Sequence, residues 1–159
     1  MNRMVKVNYR NIVTKEFEAD MTLRDISHSF KRYYNYPILI AKVDNDITCL
    51  GEKITRKCNI DFCDRSDPEG NAAYGRSVQF LLIVAVKKLL GDDVEITIEH
   101  SLDNGVYCEI HGVEIDKPII KKIEEKMFEL VKEDLTYVKI SVSRIDAIKY
   151  FKKRKQMDK

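Results

Sequence analysis

Between Val5 and Cys63 the hydrophobic period changes from two, to helical spacing, and back to two. That alternation restricts the segment to a small sheet covered by one helix. Val5, Val7 and Tyr9 alternate with Lys6 and Asn8. Asn11 supplies a turn, and Val13, Lys15 and Phe17 alternate with Thr14, Glu16 and Glu18, which is the pattern of a β-hairpin. Thr22-Leu-Arg-Asp25 has the spacing of a capping box, with Leu23, Ile26 and Phe30 on one helical face. The spacing predicts a helix of about three turns, closed by Pro37, because the residue before proline is pushed out of the helical region. Short strands follow over 38–43, 47–50 and 57–63, so the order is β-β-α-β-β-β.

Residues 64–71, DRSDPEGN, collect turn formers and charges and mark the best boundary between two patterned regions. Beyond them, 76–90 is apolar nearly all round and Gly91 gives a stop, so a buried helix is expected. Val94, Ile96 and Ile98 alternate with acidic and polar residues up to Asn104-Gly105, a strong hairpin signal, and a second alternating run continues through Ile110. Ile119, Ile120, Ile123, Met127, Leu130 and Val131 recur at helical spacing after Pro118. A β-branched strand over 137–142 and a helix capped by Ser143 and Asp146 complete the pattern. The second half is therefore α/β and the whole chain α+β.

The 159 residues carry 28 Lys+Arg and 26 Asp+Glu, for a net charge of +2. Charge is uneven, at +3 over 1–63, −6 over 64–148 and +5 over 149–159. Basic ends permit contact with a polyanion, but no concentrated basic face marks a dedicated nucleic-acid binder. No apolar run approaches the roughly 20 residues of a membrane span. The N-terminus enters an alternating pattern directly, without a secretory h-region, so a cytoplasmic location is expected. Cys49, Cys58, Cys63 and Cys108 are irregularly spaced, and free thiols are expected. Cys58 and Cys63 fall on opposite faces of one strand, so no metal site is expected. His28, His100 and His111 read as solvated or locally hydrogen-bonded. The 149–155 run, with Tyr150 and Phe151 among lysines, is compatible with RNA contact but reads first as a solvated terminal helix. Neither a Walker A sequence nor G-x-G-x-x-G occurs.

Two stretches bear a family likeness. VNYRNIVTKEFEADMTLRDISHSF followed by PILIAKVDNDITCLGEKI resembles a TGS domain, the ubiquitin-like β-grasp module shared by threonyl-tRNA synthetases, certain GTPases and stringent-response enzymes. Where that module has Val-Asn, this chain has Val43-Asp44-Asn45. Further on, Arg76-Ser-Val-Gln-Phe-Leu-Leu82 resembles the "HSxxHLL" helix of the second N-terminal, editing domain of threonyl-tRNA synthetases. Gly105-Val-Tyr-Cys-Glu109 resembles its "GFYYD" strand, and Ile123-Glu-Glu-Lys-Met127 its "IExxM" helix. The wording of 64–86 is closer still to the N-terminal region of bacterial uridine (nucleoside) kinases that carry both domains ahead of a P-loop domain.

The resemblance implies a TGS-like domain over 1–63, a linker over 64–71, and an editing-domain-like region over 72–159 that continues beyond Lys159. It implies a non-catalytic regulatory or ligand-binding region of a uridine kinase. The alternative is a threonyl-tRNA-synthetase-related region, either a degenerate editing unit or a tRNA-binding module. Editing is associated with a His-x-x-x-His pair on the first buried helix and a later Cys-x-x-x-His. Those helix positions here hold Arg76 and Phe80, and Cys-x-x-x-His is absent, so no catalytic residue is expected. Arg76 and Ser77, at the expected start of the helix, are candidates for an anion seat, with an ion-paired arginine and a capping serine as the alternative. Tyr74 and Tyr107 are candidates for the same cleft or for a domain interface. A nucleotide or another small anion, and RNA or tRNA, are the expected partners. No cofactor is expected within these residues, whereas a full-length kinase would use ATP and Mg.

Overall fold

The computed structural model describes residues 3–102, 105–135, 138 and 140–153. The first half forms a five-stranded mixed sheet in the order β2-β1-β5-β3-β4. Strands β1 (Met4–Tyr9) and β2 (Val13–Glu18) make the expected hairpin, with Val5 opposite Phe17 and Tyr9 opposite Val13. Arg10 and Asn11 take left-handed φ values of 52° and 56° at its turn. β5 (Cys58–Cys63) runs parallel to β1, and β3 (Ile40–Val43) pairs antiparallel with both β5 and β4 (Asp46–Cys49). The alternation seen in sequence is the pleat: Val5, Val7, Tyr9, Ile60 and Phe62 all point into one core.

Helix α1 (Leu23–Ser27) covers that core and starts at the expected capping box. The Thr22 hydroxyl accepts from the Asp25 amide at 3.2 Å, and the Asp25 carboxylate accepts from the Thr22 amide at 3.3 Å. It is far shorter than three turns. Phe30 is the reason: its ring must reach Tyr9 at a centroid distance of 4.1 Å and Phe62 at 5.9 Å, and the chain leaves the α-helix to deliver it. A single 3₁₀ turn over Lys31–Tyr33 then leads to Tyr34. The Tyr34 hydroxyl donates to the Phe62 carbonyl at 2.8 Å and accepts from Tyr9 at 2.9 Å, so Pro37 follows a helix already ended.

The second half builds on α2 (Pro68–Leu90), β6 (Glu95–Leu102), β7 (Gly105–His111) and α3 (Lys117–Lys132). Ala85, Val86, Ile96, Ile123 and Leu130 form a second, smaller core. The hairpin is present as read, with its tip residues Asp103 and Asn104 outside the described residues. α3 begins where Asp116 accepts from the Ile119 amide at 2.9 Å, one residue ahead of Pro118.

Three expectations are corrected. The segment 64–71 is a linker only in its first half: Asp67 takes extended backbone at the N-cap and Pro68 opens α2, eight residues before the expected start. α2 is not buried all round, because a two-stranded sheet and α3 cover only part of it; Val78, Phe80 and Tyr74 remain exposed. Finally, the strand expected over 137–142 is missing among the described residues. Val138 and 140–142 belong to no strand, and Val138, Ile140 and Val142 are exposed, while Tyr137 and Lys139 lie outside the described residues. The last helix, α4 (Arg144–Lys153), has its serine cap as read, with the Ser143 hydroxyl accepting from the Asp146 amide at 3.2 Å.

All four cysteines are free thiols. Cys58 faces the first core with Ile60 and Phe62, whereas Cys63 is buried next to Asp64, and its thiol is pushed up to about 11, chiefly by burial. Among the described residues no helix is long and apolar enough to cross a membrane.

Candidate functional site

The helix start that was expected to seat an anion lies elsewhere. Free amides belong to the first turn after Asp67, and Arg76 and Ser77 sit in the interior of the 23-residue helix α2. Ser77 turns its hydroxyl back to donate to the Ala73 carbonyl at 3.0 Å, which neither caps the helix nor aims at a ligand. Arg76 is exposed and has no acidic partner among the described residues, so the ion-paired alternative is not formed either. Tyr74 shares a helix face with Ser77, three residues apart. Tyr107 lies on β7, and no hydrogen bond, ion pair or ring contact joins it to Tyr74, Arg76 or Ser77. The four candidates do not form one pocket.

Tyr107 belongs to a polar network on the outer face of the hairpin. Its hydroxyl donates to Glu109 Oε1 at 2.8 Å, which raises the tyrosine above its ordinary value, and its ring lies 5.4 Å from His100. Glu109 Oε2 stands 3.8 Å from His111 Nε2, which is 3.2 Å from the Thr97 hydroxyl across the strand pair. This is a wet rim with exposed members. It places no nucleophile against a base, as acyl-transfer chemistry needs.

A concave site that sequence reading missed lies at the far edge of the first sheet. A cleft of about 420 Å³ is floored by Leu23, Val43 and Ile54 and rimmed by Thr48, Lys53, Thr55 and Arg56. It exists because residues 50–54 double back onto α1: Leu23 donates its amide to the Glu52 carbonyl at 2.9 Å, and Thr22 bridges to Lys53. Its wall is held by Asp44, at the position where the TGS pattern departs from Val-Asn. Asp44 has φ 51°, accepts from the Asn59 amide at 2.8 Å and pairs with Arg56 at 2.8 Å. Two cations and two hydroxyls over an apolar floor can hold a small polar or anionic group, but no acid–base pair is poised there to transform it. The lysines and arginine of Lys53-Ile-Thr-Arg-Lys57 are the only sequence signal that could have flagged this loop.

The amide of Asn59, then Arg56, hold the Asp44 carboxyl below the usual carboxylate range. A depressed carboxylate contributes stability above its unfolded value of about 3.9, and that contribution is lost as pH falls through the folded value. Melting temperature should therefore drop as pH is lowered below about 4. Asp44→Asn should flatten that acid limb in a thermal melt series; an unchanged limb would mean that Asp44 carries none of it.

No family model matches the chain. Among curated proteins it is 24% identical over 157 residues to the threonine–tRNA ligase of Acetivibrio thermocellus, covering 96% of this chain and 24% of that protein. The threonine–tRNA ligase of Syntrophotalea carbinolica is 30% identical over 153 residues, again 94% of this chain and 24% of the ligase. That of Clostridium kluyveri is 26% identical over 154 residues. The chain is similar to threonine–tRNA ligases over nearly its whole length. It spans about a quarter of the length of these relatives. The similarity runs across both halves, and it favours the synthetase-related reading over the uridine-kinase one, which none of these relatives supports.

Proposed function

We propose that the chain is a threonyl-tRNA-synthetase-related N-terminal region that binds tRNA and has lost editing chemistry. The carrying observation is the similarity of 94–96% of the chain to threonine–tRNA ligases. The sheet order, with β1 central, parallel to β5 and covered by α1, supports reading 1–63 as a TGS-like β-grasp. Residues 72–159 are then the editing-like unit. Its first helix presents Arg76 and Phe80 where a proton acceptor would be needed. A guanidinium stays charged at neutral pH and a phenyl ring carries no proton. Lys149, Lys152 and Lys153 on α4 supply positive charge for a phosphate backbone. A cytoplasmic location goes with this role.

Hydrolysis is the test of the lost chemistry. General acid–base catalysis is commonly worth about 10²- to 10⁴-fold, so a mischarged threonine-acceptor tRNA should lose its amino acid no faster with the protein than without it. Arg76→His combined with Phe80→His should remain inactive, because the later Cys-x-x-x-His is also missing. Deacylation well above the uncatalysed rate would overturn the proposal.

A further inference from the structure

Helix α3 has two apolar faces. Ile123 and Leu130 turn into the core, while Ile120, Phe128 and Val131 line a second stripe facing solvent. At about 100° per residue these three fall within one narrow arc, and Leu135 extends the stripe past the helix end. Phe128 is 62% exposed and Val131 61%. A run of large apolar side chains along one exposed helix face marks an interaction surface.

Charge selects the occupant. Along one edge of the stripe lie Glu125 and Lys132, with Glu124 between the apolar residues; all are exposed. Lys132 has no ion-pair partner among the described residues, and Glu125 meets Lys121 only at 3.9 Å with both side chains in solvent, a pair of little worth. A second α3 laid antiparallel, with the two-fold axis beside Phe128, places each Phe128 against its counterpart. The same axis carries Glu125 of either copy to Lys132 of the other, because residues equally spaced on either side of the axis become neighbours. Glu124 also comes within reach of the same lysine. A parallel arrangement would instead put like charges side by side.

We propose that this stripe is the contact face of a symmetric homodimer, with two antiparallel α3 helices packed through Phe128 and Val131 and flanked by reciprocal Glu125–Lys132 pairs. Sedimentation equilibrium across the micromolar range should then show a mass rising toward twice 18.6 kDa. Phe128→Asp should hold it at the monomer value while leaving circular dichroism and melting unchanged at low concentration, since the side chain lies outside the core. Glu125→Lys and Lys132→Glu should each dimerise at least tenfold more weakly alone, and an equimolar mixture of the two should recover dimer, because opposite charges then face each other in the mixed species. A wild-type chain that stays monomeric through hundreds of micromolar, a Phe128→Asp protein that still dimerises, or a mixture that recovers nothing would overturn the proposal.

Discussion

Replacing Phe30 by alanine should remove about 3–5 kcal/mol of stability, the range for deleting a buried aromatic side chain whose cavity cannot collapse. The ring is 1% exposed and sits at the centre of an aromatic cluster, 4.1 Å from Tyr9, 5.9 Å from Phe62 and 6.3 Å from Phe17. Strands β1, β2 and β5 each contribute one of those neighbours, so the void would be walled by hydrogen-bonded sheet on one side and cannot fill by a local shift. The same side chain ends α1 early, so its loss also removes what holds residues 28–34 against the sheet. Urea denaturation followed by tyrosine fluorescence checks this. A loss below about 1 kcal/mol would place Phe30 outside the core.

Two glycines of α2 should respond to alanine with opposite signs. In a helix interior, alanine is ordinarily better than glycine by about 1 kcal/mol. Gly75 has nothing within 4 Å of where a Cβ would stand, so Gly75→Ala should gain up to that amount. Gly70 is buried, and a Cβ there would run into the Asp64 carbonyl. That carbonyl cannot step aside cheaply. Asp64 donates its amide to the Asp67 carboxylate at 3.0 Å, its carbonyl accepts from the Asp67 amide at 3.2 Å, and its own carboxylate accepts from the amides of Ser66 at 2.7 Å and Tyr36 at 3.3 Å. Next to Gly70, Glu69 is tied to Lys42 of β3 at 2.6 Å. Gly70→Ala should therefore lose about 1–3 kcal/mol through overpacking, reversing the ordinary preference. Parallel denaturant titrations of the two variants compare them directly; equal shifts would mean that the junction yields freely.

The strand order of the first half and the course of α3 were legible because each depends on a local period that packing then respects. Val5, Val7 and Tyr9 point inward as their alternation requires, and Ile123 and Leu130 are buried as their spacing requires. Errors arose where a tertiary demand overrode a local signal. Phe30 leaves the helical path to reach Tyr9, which shortens α1. At Asp67-Pro68 the turn-forming composition concealed a good helix start, an extended N-cap followed by proline at the first position. That misplaced start was the whole basis for treating Arg76 and Ser77 as an anion seat. Val138, Ile140 and Val142 have strand composition, but composition supplies no partner, and a β-branched run needs an edge to pair with. The cleft rimmed by Lys53 and Arg56 was invisible because it depends on a loop closing onto α1, a contact that no local pattern encodes.

The central claim is that this chain binds tRNA as a synthetase-related module without hydrolysing it, and the most direct measurement is tRNA affinity as a function of salt. Binding through lysines and arginines releases counterions, so the logarithm of the association constant should fall linearly with the logarithm of salt concentration. Between 50 and 200 mM salt the account predicts a loss of about tenfold or more, with the aminoacyl bond intact throughout. The absence of tRNA binding at 50 mM salt, or saturable binding of a nucleotide that salt leaves unchanged, would contradict it.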